Sequence, residues 1–252
     1  MKDNFKFIGK TLYFPERKVL VLGDLHLGWE ESLNEQGIFV PRRQFQEIVR
    51  DLNEVFEKIK KEKIEGEGRI KEELEEKIKE IVVLGDLKHE FGEISEQEWR
   101  EVKGILDIFK AKAEKVVLVR GNHDTILGPI AERKELNVVD YYIKEEICFL
   151  HGDKIFPECL DKKIKMLVMA HRHPAVVLSD DYKKEKYKCF LVGKWKSKKI
   201  AILPSFFPFV EGMEVANLED NGMFIPEEEL KEFKAYVVGD EVYKFGKVGE
   251  IV

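Results

Sequence analysis

The sequence predicts an α/β fold in which two packed β-sheets carry helices on their outer faces. Three observations lead there. In the first half, short aliphatic runs alternate with stretches whose apolar residues recur at helical spacing. The second half is instead rich in short strand-like runs separated by turn residues. The chain of 252 residues is 44% hydrophobic and 11% aromatic, enough for a large core without disulfide staples. The same proportions exclude a disordered chain.

Taken in order, residues 5–8 and 11–14 read as a hairpin, and Lys18-Val19-Leu20-Val21-Leu22, stopped by Gly23, as a buried strand. From Pro41 the period changes. Phe45, Ile48, Val49, Leu52, Val55, Phe56 and Ile59 share one helical face, with charged residues opposite. Residues 60–80 are dominated by Lys, Glu and Gly, with Ile64, Ile70, Leu74 and Ile78 as apolar anchors. Gly66 and Gly68 are expected to break this stretch. A second strand, residues 80–84, ends at Gly85. Ser95 and Glu98 form a capping-box pattern ahead of a helix that turns Trp99, Val102, Ile105, Leu106 and Phe109 inward. Residues 115–119, 147–150 and 166–169 are further strands. From Tyr187 the chain reads as short strands with turns at Gly193, Gly212, Asn221-Gly222 and Gly239-Asp240. No linker or internal repeat divides the chain, so residues 1–252 are read as one domain.

The formal charge of −6 excludes a strongly basic coat. No run approaches the roughly 18 apolar residues of a membrane span, and the N-terminus shows no signal-peptide pattern. Cys148, Cys159 and Cys189 are odd in number and lack C-x-x-C spacing. Reduced thiols, a cytoplasmic setting and no membrane partner are the expectations.

Five strands run into five polar clusters: Gly23-Asp24-Leu25-His26, Gly85-Asp86-Leu87-Lys88-His89, Gly121-Asn122-His123-Asp124, His151-Gly152-Asp153 and His171-Arg172-His173. All six histidines of the chain lie in them. Singly, each cluster reads as an ordinary turn or cap. Together they place carboxylates, imidazoles and a carboxamide at strand ends, where ligands bind in open α/β sheets. Mixed oxygen and nitrogen donors suit Mn, Fe, Co, Ni or Zn better than Mg or Ca. Up to seven donors are too many for one ion and fit two that share a ligand.

This ordered set resembles the calcineurin-like metallophosphoesterase superfamily, with its D-x-H, G-D, G-N-H-[DE], H and H-x-H pattern. Within it, Asp24-Leu25-His26-Leu27-Gly28, Gly85-Asp86-Leu87-Lys88-His89 and Ala170-His171-Arg172-His173-Pro174 look like the small SbcD-related archaeal and bacterial phosphoesterases, including the DNA-ligase-associated type. The resemblance spans residues 18 to about 210. It implies two mixed sheets flanked by helices, a four-layer sandwich, and a setting in DNA repair. It also implies two divalent transition-metal ions, manganese first, with iron, zinc, nickel or cobalt as alternatives. Asp24, His26 and His173 would hold one ion, Asn122, His151 and His171 the other, and Asp86 would bridge them. His123 would be the general acid facing the phosphate, with Asp124 orienting it. Ala170 stands where the superfamily often has Gly, and Lys88-His89 replaces a commoner acidic or Asn continuation. His89 is then either a substrate contact or a structural histidine.

The implied reaction is hydrolysis of a phosphodiester by a metal-bound hydroxide, since two ions bind the phosphate oxygens and lower the pKa of water toward about 7. DNA or RNA is the expected substrate. Small phosphodiesters or phosphomonoesters are the alternative, and a scaffold without catalysis is a third reading. Residues 183–199 carry eight lysines interleaved with Tyr187 and Trp195, and Lys186, Lys188, Lys194 and Lys196 are candidates for following a nucleic-acid backbone. An exposed hairpin in a Lys-rich chain explains the same strip. Arg172, if its segment is extended, faces away from its histidine neighbours. Pro204-Ser205-Phe206-Phe207-Pro208-Phe209 reads as a site wall, an interface or core. Protein partners are not legible.

Overall fold

The computed structural model describes residues 5–67, 78–90, 95–124, 133–179, 183–216 and 224–251, with the side chains of 62–67 outside that set. Two mixed sheets stack face to face. The first contains β1 (Lys6–Ile8), β2 (Thr11–Phe14), β3 (Val19–Leu22), β4 (Ile78–Leu84), β5 (Ala113–Val119) and β6 (Val138–Val139), in that spatial order. β1 to β3 run antiparallel, and β3 to β6 run parallel. Helices α1 (Trp29–Glu35), α2 (Gln44–Glu67) and α3 (Glu96–Lys112) lie in the crossovers that parallel pairing requires.

The second sheet contains β7 (Tyr141–Lys144), β8 (Ile147–Leu150), β9 (Met166–Met169), β10 (Pro174–Ser179), β11 (Lys184–Trp195), β12 (Lys198–Ile202), β13 (Met213–Glu214), β14 (Lys234–Val238) and β15 (Val242–Lys247). Its order is β13-β10-β11-β12-β9-β8-β7, with β14 beside β11 and β15 beside β14. β8, β9 and β12 run parallel. The short helix α4 (Glu227–Lys231) precedes β14. Each sheet is continuous in sequence. The chain leaves the first at Val139 and enters the second at Tyr141, with exposed Asp140 between them.

Strand alternation sorts side chains into three apolar layers. Leu20, Leu22, Ile81, Val83 and Leu118 pack beneath α2 and α3 with Ile48, Leu52, Ile105, Leu106 and Phe109. Val19, Val21, Val82, Val117 and Val119 point the other way and meet Phe149, Val168, Phe190 and Ala201 between the sheets. Cys148, Leu167, Leu191 and Ile200 face outward under Leu230 and Phe233. Both sheets are therefore covered on both faces, which is why the parallel strands read as unbroken aliphatic runs.

Several expectations change. α2 continues through Gly66 to Glu67, because its apolar stripe is anchored far upstream and a single helical Gly costs only about 1 kcal/mol. Gly193 is no turn but lies within the twelve-residue β11. A Cβ there would stand 2.2 Å from the Phe233 ring, so the glycine admits a core aromatic. The turn after β11 is at Lys196-Ser197, both with positive φ. Cys148 and Cys159 are paired as a buried disulfide, and Cys189 alone is a buried thiol, which corrects the expectation of three reduced cysteines. Gly68, Ile70, Leu74, the Ile64 side chain and the Asn221-Gly222 turn lie outside the described residues. No described helix is long and apolar enough to cross a membrane.

Candidate metal centre

The carboxyl ends of β3, β4 and β5 from one sheet, and of β8, β9 and β12 from the other, open onto a common rim. Backbone bonds lock the loops together there. Asp24 N donates to Gly85 O (3.0 Å), Ala170 N to His151 O (2.7 Å), and Phe206 N and Phe207 N to Gly23 O and Asp24 O (3.0 Å each). These bonds bring together residues up to 183 positions apart in sequence.

Asp24, His26, Asp86, His171 and His173 all have positive φ, between 47° and 68°. L-residues avoid this left-handed region at a cost of roughly 1–2 kcal/mol each. The strain is concentrated at residues whose side chains must converge, as at functional sites generally. Gly121 serves the same convergence. A Cβ on it would lie 2.1 Å from Asp86 Oδ1.

Two donor groups result. In the first, His173 Nε2 lies 3.3 Å from Asp24 Oδ2 and 3.4 Å from His26 Nε2. In the second, His151 Nε2 lies 3.0 Å from both Asn122 Oδ1 and His171 Nδ1, and 3.4 Å from Asp86 Oδ2. Asp86 Oδ2 is also 3.9 Å from His26 Nε2, so this oxygen stands between the groups. His151 donates from Nδ1 to Leu84 O (2.7 Å), which fixes the ring and aims Nε2 at the second group.

Electrostatics shows what this cluster accepts. Asp24 is fully buried, and burial alone would raise its pKa, but His173 and His151 hold it below the usual range. Asp86 is held low against the same burial by His151 and His26. His26 is pushed down to about 3 by burial and by His173. His171 is lowered by burial and by His151. Burial opposes a charge on His151 as well, yet Asp86 and Asp24 overcome it and raise the ring to about 10. Two ionised carboxylates thus demand positive charge between them, and His26 and His171, held neutral, offer lone pairs to it. Asp24 Oδ1 and His26 Nδ1 have no hydrogen-bond partner although buried. Imidazole nitrogens facing one another and carboxylates at these distances fit divalent ions with mixed ligands. The groups Asp24–His26–His173 and Asp86–His151–His171 could each hold a metal ion, with Asn122 beside the second.

A third group, His26, His89 and His123, adjoins the first two. The His123 and His89 rings stack at 5.8 Å. His123 is held by its backbone N–H on Asp86 Oδ1 (3.0 Å) and by Nδ1 on His89 O (2.5 Å). Asp124 bonds to loop backbone. Its oxygens accept from Gly121 N (3.0 Å), Leu87 N (3.1 Å) and Lys88 N (3.4 Å), so it ties two ligand loops together. Burial and the Asp86 charge raise it to about 6. Arg172 is buried, and its Nη1 lies 3.2 Å from Met213 Sδ. Its segment turns through left-handed His171 and His173 and is not extended.

Three supports were not visible in sequence. Gln44 donates to Leu25 O (3.1 Å) and His26 O (2.6 Å). Glu30 accepts from Arg43 N (2.5 Å) and Gln44 N (2.8 Å), fixing that glutamine's backbone. Ser205 Oγ donates to Asp24 O (3.0 Å). The Ser95–Glu98 pattern is half a capping box. Ser95 Oγ accepts from Glu98 N (3.1 Å), but the Glu98 carboxylate accepts from His89 N (2.8 Å) and Glu90 N (3.1 Å). The glutamate therefore braces the His89 loop.

The lysine strip is divided. Lys186, Lys194 and Lys196 are exposed. Lys188 turns inward, and its amine donates to Ser205 O (2.9 Å) and to Phe207 O. Burial and the neighbouring Lys10 ammonium push it down to about 7. Lys10 holds the same loop through Phe206 O (3.0 Å) and pairs with Asp51 (2.7 Å). Lys198 is buried on the carbonyls of Asp161 and Ile164.

The family model described as calcineurin-like phosphoesterase matches residues 17–197. Among solved structures, the nuclease MPE of Pseudomonas putida matches with a TM-score of 0.61 at 19% identity, covering 94% of this chain and 92% of that one. Vps29 of Entamoeba histolytica, in a single-mutant form, matches with a TM-score of 0.36 at 16% identity, over 90% of this chain and 99% of that one. No curated protein matches the sequence. The first likeness is one of fold.

Proposed function

The chain belongs to the calcineurin-like phosphoesterase family, and on that premise we propose that it is a two-metal phosphodiesterase acting on nucleic acid, of the SbcD-related type. The observation that carries the two-metal reading is the position of Asp86 Oδ2 between two donor groups, 3.9 Å from His26 Nε2 and 3.4 Å from His151 Nε2. Asp24, His26 and His173 hold one ion in this reading, and Asn122, His151 and His171 the other, with Asp86 shared. Manganese suits the mixed donor set. When bound, the ions offset phosphate charge and supply a nucleophile from water.

The protein's own groups do the rest. The Leu84 carbonyl and Gln44 amide fix His151 and the backbone of His26, so the donors are aimed before substrate arrives. With Nδ1 committed to His89 O, His123 presents Nε2, 4.0 Å from Asp86 Oδ2, at the edge of the centre. There it protonates the leaving oxygen as a general acid. His89, stacked on that ring, contacts the substrate on the same side. Exposed Lys186 supports a polyanionic substrate, and the fold likeness to a nuclease agrees with it, whereas Lys194 and Lys196 lie at the amino end of β12, opposite the rim.

The test follows a chromogenic phosphodiester and a labelled DNA strand with Mn²⁺, with chelator, and with Asp86→Asn. Cleavage of both, only with metal and only by wild type, is the expected result. Cleavage of the small diester alone would make the protein a small-molecule phosphodiesterase, which its net charge of −6 would suit. Cleavage of neither would reopen the scaffold reading. His123→Ala should retain both ions and lose activity, whereas His89→Ala should alter substrate preference more than metal content.

A further inference from the structure

Beside the first donor group stands an aromatic wall that the hydrolytic centre itself does not need. Phe207 packs against His26 with ring centroids 6.0 Å apart, and its backbone N–H is bonded to the Asp24 carbonyl. Trp29 lies 5.2 Å from Phe207 and 5.8 Å from Phe209, and the two phenylalanines are 6.1 Å apart. Phe207 is buried, but Phe209 is 39% exposed and the adjoining Val210 43% exposed, so the wall opens to solvent where it leaves the centre. The loop is fixed from behind by the Lys10 and Lys188 amines on the carbonyls of residues 205–207. The loop then returns to the centre, where Gly212 packs against the His173 carbonyl and the exposed Lys186 ammonium reaches Gly212 O at 3.5 Å.

The geometry points to Trp29, Phe207 and Phe209 as a stacking platform for an unstacked nucleobase next to the scissile phosphate, with Lys186, near His173, beside a flanking phosphate. This assignment rests on the nucleic-acid reading of the metal centre and specifies it, because a base inside a duplex has no free face to offer. The platform is continuous with the centre through the Phe207–His26 contact. Its Phe207 end is pinned by the bonds to residues 205–207, which limits the conformational freedom lost there on binding. Aromatic faces accept any base, so the platform favours single-stranded or unpaired substrate over a particular sequence.

The test compares a single-stranded oligodeoxynucleotide with one of the same length whose bases are replaced by abasic units, both with Mn²⁺. Trp29→Ala and Phe209→Ala are used because buried Phe207 is needed for folding. Each is expected to raise KM on the base-bearing strand on the order of tenfold. On the abasic strand that penalty should collapse, so the losses from protein and substrate do not add. Equal penalties on both strands, or none on either, would overturn the platform. A second readout does not need turnover. Oligothymidylate added with Ca²⁺ should quench fluorescence in wild type more than in Trp29→Phe, and the abasic strand should not. Quenching without cleavage would sink the nuclease reading and leave the platform standing. Cleavage without quenching or a KM change would do the reverse.

Discussion

Asp24, His26, Asp86, His171 and His173 carry their donor atoms on backbone that an L-residue avoids. The strain is tolerated because the loops are over-determined by bonds such as Asp24 N to Gly85 O and Gln44 to His26 O. His173 offers a direct test, since Asn is tolerated in the left-handed region and the His173 side chain is only partly buried. His173→Asn should weaken metal binding while leaving the thermal midpoint of the chelated protein unchanged or higher. A lower midpoint in chelator would show that the imidazole, not the ion, is what the fold needs. Gly121→Ala tests the opposite limit. Its new Cβ would meet Asp86 Oδ1 at 2.1 Å, so metal stoichiometry and activity should fall together, and unchanged stoichiometry by metal analysis would refute the close approach.

At the scale of elements, strand positions were legible because burial on both faces leaves aliphatic runs, and β8 and β9 fall where the composition placed them. The length of β11 was not, because Gly193 reads as punctuation until Phe233, forty residues on, is known to lie over it. Lys188 was misplaced for a similar reason. Among so many lysines, nothing local distinguishes one that caps buried carbonyls. Its environment has a pH consequence. The amine sits near 7 when folded against 10.5 unfolded, lowered by burial and Lys10, while Asp24, Glu211 and Asp51 act the other way. Between those values the unfolded chain binds more protons, so this group makes stability rise as pH climbs from about 7 toward about 10. Lys10 is lowered too and adds the same sign. Lys188→Met should therefore reduce, not abolish, the slope of thermal midpoint against pH. An unchanged slope would mean that the amine stays protonated throughout that range.

Across the whole molecule, the donors were legible as types and order but not as geometry. Five strand-end clusters announced the residues. Which oxygen stands between the groups, and that Asp124 ties the Leu87 and Gly121 loops together, depended on contacts between distant segments. The buttresses Gln44, Glu30 and Glu98 were hidden because polar residues on helices read as solvated faces. The donor groups are also divided between the sheets. Asp24, His26, Asp86 and Asn122 precede Asp140, whereas His151, His171 and His173 follow it. Neither portion contains the Asp24–His26–His173 or the Asp86–His151–His171 group complete, whereas His26, His89 and His123 all lie in the first, and among the described strands the chain passes between sheets once, at an exposed residue. A chain severed at Asp140 would then be a coincidence detector. Each fragment alone should fail to hold a pair of manganese ions, and the mixed fragments should regain the pair only on docking, so that capture of the second ion reports that two polypeptides have met. Retention of both ions by either fragment alone would show that these two donor groups are not shared across the sheets.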